Sequence, residues 1–376
     1  MNALILSCNT GEGHNSCARA IKDCFARHGD NCRIEDALGF ISKGASRFIS
    51  RWHVRMYRYM PWLFKLGYRF SENHPGALDD GSLPYRFIGE GTEALCKYII
   101  QNHIDTVICP HVFSAIMVTE LREKYPSLKI KSCFIATDYT CSPGTESIGT
   151  DLFFVPDRSA ADRQLQVRPE QVIDSGMPVR ACFYERLDKE QARQQLGYAP
   201  GGSHLLLMCG SMGCGPMKEL ASLLADRLEE GQMMTIVCGT NRKLFRWMSK
   251  NFHGRNNIHV IEYANNISLL MDSADLYLTK PGGLSTSEAA AKGLPMVLVN
   301  AVSGCEEYNL RYFIRSGLAD TASDPEALAE LCICLLSDPE RLAAMGEAGK
   351  KLPRKNSAEL IYASLRALVE REGWET

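Results

Sequence analysis

Residues 281–288 read Pro-Gly-Gly-Leu-Ser-Thr-Ser-Glu and follow the apolar run Leu276-Tyr277-Leu278. A strand that enters two glycines and then a helix lets a phosphate approach the backbone at Gly282 and Gly283. The first amides and the dipole of that helix attract its charge. Ser285 and Thr286 add hydroxyl donors, and Glu288, one turn on, can accept from ribose hydroxyls. The same octet can also be a plain strand-to-helix turn. A second turn, Gly210-Ser211-Met212-Gly213-Cys214-Gly215, follows the strand Leu205-Leu206-Leu207-Met208 in the same half of the chain. Two such turns in one domain favour a nucleotide diphosphate site more than either does singly.

A third turn, Thr10-Gly11-Glu12-Gly13-His14, lacks the spacing of a dinucleotide-binding turn. It places His14 at a helix start, where histidine can act as general base near neutral pH. A lone histidine there can also be without chemistry. The segment from Lys43 to Arg69 carries Lys43, Arg47, Arg51, Arg55, Arg58, Lys65 and Arg69 and no acidic residue. Phe48, Trp52, Tyr57, Tyr59, Trp62, Leu63, Phe64, Leu66 and Tyr68 lie between them. Arg47, Arg51, Arg55 and Arg58 follow helical steps, and Pro61 is expected to break or kink the segment. A basic aromatic stretch without counter-charges suits an anionic membrane surface. The plainer reading is a helix pair packed on the domain with its arginines in solvent.

These motifs sit in an alternation of strands and helices, which predicts parallel sheets covered by helices. Strands are read at residues 3–8, 106–109, 130–136 and 152–155, then at 205–208, 234–238, 258–261, 276–278 and 296–300. Helices are read at 16–27, from about 114, from 217, at 267–271, 285–292, 325–336, 339–350 and 357–370. The series restarts between Val179 and Ser203. Two parallel-sheet domains in a chain of 376 residues create a cleft, and ligands of such sheets bind beyond the carboxyl ends of strands.

Composition narrows the class. Apolar residues at 45% and charged residues at 23% are ordinary for a soluble globular protein. A formal net charge of −2 gives no global reason to expect nucleic acid. The 15 cysteines form no C-x-x-C pair, and none clusters with histidine at zinc-ligand spacing. Scattered thiols fit a reducing compartment. The opening run Ala3-Leu4-Ile5-Leu6 is too short for a signal peptide, and no stretch approaches the length that spans a bilayer. A cytoplasmic protein, peripheral on the inner face of the membrane, is therefore expected.

Taken together the motifs resemble the monogalactosyldiacylglycerol synthase and processive diacylglycerol glucosyltransferase group, related to the transferase that adds N-acetylglucosamine to lipid I. The resemblance rests on TKPGGLSTSEAAAKGLPMVLV and SGCEEYN between Asp275 and Asn309. LLLMCGSMGCGP, FFVPDRSAADRQL, DSGMPVR and NTGEGHNSCARAI support it. It implies an α/β protein of GT-B architecture, two Rossmann-like parallel-sheet domains facing an interdomain cleft. Residues 1–178 would form the acceptor and membrane domain and 179–356 the nucleotide-sugar domain. Residues 357–376 would be a C-terminal helix able to pack back on the first domain.

The resemblance further implies inverting, metal-independent hexose transfer from a UDP-sugar to a membrane lipid such as diacylglycerol, giving a β-glycolipid. It puts Gly283, Leu284 and Ser285 near the phosphates, Glu288 on the ribose, and Arg180 toward the pyrophosphate. Tyr263 and Ala264 would border the uracil, and Glu306 and Asn309 the donor sugar. His14 matches the histidine proposed as base, with Glu12 and Asp138 as the other candidates. Arg47, Arg51, Trp52, Arg55, Trp62 and Phe64 would meet the membrane. No cofactor is expected, and no D-x-D motif stands at a strand end. The chain departs from the family at Cys305, usually glutamine, which leaves the donor sugar open. It departs again after Asp138, where Tyr139 to Gly144 replace a histidine and a tryptophan, which leaves the acceptor open. Glu12 stands where a small residue is usual, and a carboxylate there could raise the pKa of His14. Two alternatives remain: a transferase acting on a soluble metabolite or natural product, and a non-catalytic UDP-sugar sensor. The UDP-N-acetylglucosamine 2-epimerase pattern fits less well.

Overall fold

The computed structural model describes residues 1–8, 12–42, 44, 46–49, 51–52, 55, 60–74, 82–160, 169–299, 304–352 and 356–371, without the side chains of 61, 63–65 and 83. The readings made on residues 9–11, Lys43, Tyr57, Arg58 and Tyr59, and on the side chains of Leu63, Phe64 and Lys65, lie outside these residues.

The chain divides into two compact units. One comprises Met1–Arg180, Ser303–Cys305 and Lys355–Thr376; the other comprises Ala181–Val302 and Glu306–Arg354. The first unit is built on six parallel strands: β1 (Asn2–Ser7), β2 (Asn31–Asp36), β3 (Thr106–Cys109), β4 (Lys131–Ile135), β5 (Leu152–Val155) and β6 (Val172–Asp174). Their order is β2-β1-β3-β4-β5-β6. The central strand β3, Thr-Val-Ile-Cys, is buried along its whole length, as a parallel strand covered on both faces must be. The second unit holds β7 (Ser203–Leu207), β8 (Gln232–Val237), β9 (Ile258–Ile261), β10 (Leu276–Thr279), β11 (Met296–Leu298) and β12 (Ala319–Thr321), ordered β12-β11-β10-β7-β8-β9. The strand order reverses between β1 and β3 in one sheet and between β7 and β10 in the other.

Three strands escaped the sequence reading: β2, β6 and β12. Each lies at a sheet edge. The helix Glu12–Arg27 starts one turn before the reading from Ser16, and the helix Gly283–Lys292 includes Gly283. Glycine at an N-terminus costs little, because the first amides lack intrahelical partners in any case. Pro61 opens the helix Pro61–Asn73 and does not kink one, since its missing N–H is not needed at that position.

The amino ends of β7 and β10 are fixed by a buried network. Asp275 accepts from the His204 backbone N–H at 2.8 Å and from Arg193 at 2.7 Å. Arg193, almost fully buried, also donates to the carbonyls of Ser273 and Gly201. A guanidinium with this many acceptors keeps its charge in the interior.

In the first unit the helix Ser357–Glu370 packs on the helix Glu12–Arg27. Tyr362 stacks on His28 with ring centroids 4.0 Å apart and donates to Asp30 at 2.8 Å. Glu359 accepts from Arg27 at 2.8 Å and from His28 at 2.6 Å. The hydrogen bond from His28 holds the Glu359 carboxyl down at about 2. A depressed carboxylate contributes stability above its unfolded pKa of about 4.3 and loses it as pH falls through the folded value. Relative to the intrinsic rate, which itself slows in acid, hydrogen exchange in residues 357–370 is therefore expected to speed up between pH 4.5 and pH 2. Glu359→Gln should speed it at pH 7, with a cost of about 1 kcal/mol or less for so exposed a pair, and should flatten that acid dependence.

Candidate active site

The two glycine turns read from the sequence are neighbours in space. They follow β7 and β10, which pair in register from Leu205 with Leu276 to Leu207 with Leu278. Both stand at the reversal of strand order, where helices leave to opposite sides and the carboxyl ends stay open. Gly282 caps the helix Gly283–Lys292 without any side-chain acceptor. That leaves the first-turn amides for a ligand anion. Ser285 is half-buried, while Thr286 is fully buried and donates to the Gly282 carbonyl at 2.8 Å. The Thr286 hydroxyl thus closes the helix start. Leu284 and Glu288 are buried.

The turn after β7 is fastened to the turn after β8. A Cβ at Gly239 would stand 2.1 Å from the Ser211 carbonyl oxygen, and φ there is +63°. Thr240 donates its backbone N–H to Ser211 at 2.8 Å, and Asn241 donates to the Gly213 carbonyl at 3.0 Å. Gly210, Ser211 and Met212 take their shape from this lock.

Lys280, between β10 and its glycines, was not singled out from the sequence. Its ammonium lies 2.9 Å from Glu306 Oε1, and both side chains are largely buried. Asn309 is fully buried and donates to the Pro281 carbonyl at 3.0 Å, so it holds the glycine turn in shape. The signal for Lys280 was its place at the end of an apolar strand, where a lysine must find a counter-charge. Tyr263 is exposed and Ala264 half-buried after β9; Arg180 and Cys305 are half-buried.

In the first unit the structure gathers a second constellation at the β1/β3 reversal. His14 Nδ1 lies 2.9 Å from the Pro110 carbonyl and 3.1 Å from the Thr137 hydroxyl. A carbonyl only accepts, so Nδ1 carries the proton, and in the neutral ring Nε2 is the basic nitrogen. The ring of His111 meets that of His14 edge-on at 4.7 Å. His111 caps the helix Val112–Lys124, its Nδ1 accepting from the Phe113 N–H at 3.1 Å. It too was missed; its signal was a histidine two residues past the strand Thr106–Cys109. Asp138 follows Thr137 at the end of the β4 segment and is half-buried. Glu12 is turned to Arg19, with which it forms an ion pair.

Cys24, His28 and Glu359 bring their ligand atoms within 4.8 Å of one another. Cys24 and His28 share a helix face, and Glu359 comes from far along the chain. The Arg27 guanidinium on Glu359 opposes a cation there.

Along the basic segment, Arg47, Phe48, Arg51, Trp52 and Arg55 are exposed, with the Phe48 and Trp52 rings 6.0 Å apart. On the helix Pro61–Asn73, Trp62, Leu66 and Phe70 follow four-residue steps at 65%, 60% and 57% exposure. An apolar stripe this exposed is unusual for a surface with no partner. Among the described residues no helix is long and apolar enough to cross a membrane.

Residues 14–179 match the family model described as monogalactosyldiacylglycerol (MGDG) synthase, and residues 216–352 match that of glycosyl transferases group 1. The chain is 26% identical over 372 residues to a processive diacylglycerol beta-glucosyltransferase of Bacillus licheniformis, covering 97% of this chain and 94% of that one. It is 27% identical over 350 residues to a probable monogalactosyldiacylglycerol synthase 2, chloroplastic, of Oryza sativa, covering 87% of this chain and 72% of that one. Among solved structures, MurG of Acinetobacter baumannii superposes with a TM-score of 0.66 at 14% identity, covering 97% of this chain and 99% of that one. The calicheamicin glycosyltransferase CalG4 gives 0.67 at 13%, covering 99% of each. The two Rossmann-like units have the GT-B fold of these structures, and the family models and curated relatives make the chain a glycosyltransferase. Within that class the chain resembles the monogalactosyldiacylglycerol synthase and processive diacylglycerol glucosyltransferase group.

The Gly239 lock is directly testable. Gly239→Ala should lower the thermal midpoint by the equivalent of more than about 1 kcal/mol, because the left-handed backbone and the Ser211 carbonyl both reject a Cβ. An unchanged midpoint in calorimetry would show that the turn can relax.

Proposed function

We propose that this chain transfers a hexose from a UDP-sugar to a membrane lipid acceptor such as diacylglycerol, with inversion, forming a β-glycolipid. The observation that carries the reading is the glycine-led helix start at Gly282 and Gly283 beside the β7 turn, at the reversal of a parallel sheet. Residues 179–356 would bind the donor. Amides at Gly283 to Ser285, with Leu284 beside them, would take up charge developing on the departing diphosphate without a metal, and Arg180 would add to it. Gly210, Ser211 and Met212 would border the phosphates, Glu288 would accept from the ribose, and Tyr263 and Ala264 would flank the base. Glu306 and Cys305 would lie at the donor sugar.

Residues 1–178 would bind the acceptor. His14, fixed by Pro110 and Thr137, would take the acceptor hydroxyl proton on Nε2 as the oxygen attacks the sugar carbon. The leaving oxygen belongs to the UDP phosphate, so attack from the opposite face inverts the anomeric centre. Asp138 stands next to Thr137 as the alternative base. The relatives named for diacylglycerol and monogalactosyldiacylglycerol support a lipid acceptor. The exposed Trp62-Leu66-Phe70 stripe and the arginines Arg47, Arg51 and Arg55 support docking from the cytoplasmic side of a membrane.

Incubation with a panel of UDP-sugars and diacylglycerol-bearing vesicles, read by mass spectrometry, should yield a hexosyl diacylglycerol with one donor preferred. Product only from water-soluble acceptors would replace the lipid reading. His14→Ala should lower turnover roughly 10²–10⁴-fold, the range of a general base, while UDP affinity by calorimetry stays unchanged. Retained turnover would pass the role to Asp138. Anionic vesicles should sediment the protein at low salt. Arg47/Arg51/Arg55→Glu should remove the salt-sensitive part of that binding, and Trp62/Leu66/Phe70→Ser the part that salt leaves. Wild-type protein remaining in the supernatant would count against membrane docking.

A further inference from the structure

Lys280 occupies a position that the phosphate and ribose assignments do not use. Its side chain runs from the end of β10 past both glycine turns. A Cβ built on Gly210 would come 2.9 Å from Lys280 Cε, and one on Gly282 would come 3.7 Å from it. The ammonium then meets Glu306 Oε1 at 2.9 Å, with the lysine side chain 18% and the glutamate side chain 6% exposed. Glu306 stands in the first turn of the helix Cys305–Arg315. One turn on, Asn309 ties the same helix to Pro281. The β10 turn is therefore joined to this helix by an ion pair and by a neutral hydrogen bond.

A buried carboxylate beside a substrate site needs a compensating charge, and that charge fixes its orientation. We propose that Lys280 is the positioning residue of the donor-sugar subsite. It holds the Glu306 carboxylate in the attitude that accepts hydroxyls of the transferred hexose. The inference rests on the UDP-sugar reading above and adds the residue that sets recognition of the sugar. The diphosphate stays with the helix start at Gly283. Lys280 acts through Glu306, so its removal should be felt in sugar recognition and turnover, and much less in binding of UDP alone.

The test uses the full chain and the donor found in the UDP-sugar panel, with UDP affinity by calorimetry, kcat and KM for donor, and the thermal midpoint of each variant. Glu306→Gln should lower kcat/KM by about tenfold or more, the cost of losing a charged hydrogen bond. Lys280→Met should do the same. The double variant should fall within about threefold of Glu306→Gln alone, because partners that act as a unit are not additive. Lys280→Arg should recover part of the loss. UDP affinity should change less than about threefold throughout, since uncharged contacts at the helix start are untouched. If Lys280→Met does not fold, Glu306→Gln against the double variant still decides, since the double variant leaves no buried charge unpaired. Multiplying losses in the double variant would overturn the proposal. So would a tenfold loss of UDP affinity in the double variant relative to Glu306→Gln, which would make Lys280 a phosphate ligand. Wild-type protein that does not bind UDP would instead overturn the donor reading itself, before any variant is compared.

Discussion

A parallel strand cannot turn straight back into its neighbour; the chain must cross over through a helix before the next strand begins. In both units successive crossovers pass to opposite faces at one point, between β1 and β3 and between β7 and β10. No helix can cover the strand ends there. The turns at that place can reach a ligand end-on. His14, Pro110 and His111 belong to one reversal; Gly210, Lys280 and Gly282 belong to the other. Everything assigned to chemistry depends on this constraint of connection.

The two reversals are furnished differently. The one in the second unit is a backbone site, with an uncapped helix start and a glycine turn fixed by carbonyl contacts at Ser211 and Gly213. It suits an anion, whose charge is spread over several oxygens and is best met by several amides. The one in the first unit is a side-chain site, with an imidazole whose tautomer is set by a carbonyl. It suits a single proton transfer. The proposed transfer asks for such a division, one side holding a leaving group and the other activating a hydroxyl.

Burial decides which members of a motif are available. In LSTSE, Thr286 and Ser287 spend their hydroxyls on the carbonyls of Gly282 and Gly283. In SGCEEYN, Asn309 spends its amide on Pro281, while Glu306 keeps a charge because Lys280 stands against it. Residues that look equivalent in a motif thus divide into those that build the turn and those that can meet a ligand. At the other extreme, Trp62, Leu66 and Phe70 lie outside any core. An apolar stripe in that position is a cost in water.

The amino-acid sequence determined the central strands and the glycine turns, because an apolar run such as Thr106–Cys109 followed by small residues has few other structures open to it. The edge strands were not legible. β2 alternates half-buried and exposed residues, and β6 and β12 have three residues each, so neither hydrophobicity nor length marks them. They are strands because a neighbour offers hydrogen bonds. The same holds at the sites. His14, the glycines and Glu288 stood out through local spacing, which the chain carries in its own order. Lys280 and His111 did not, because their partners Glu306 and His14 are far away along the chain. Only the packed sheet brings those partners within reach, since an ammonium, a carboxylate or an imidazole acquires its role from the charge and the acceptor beside it.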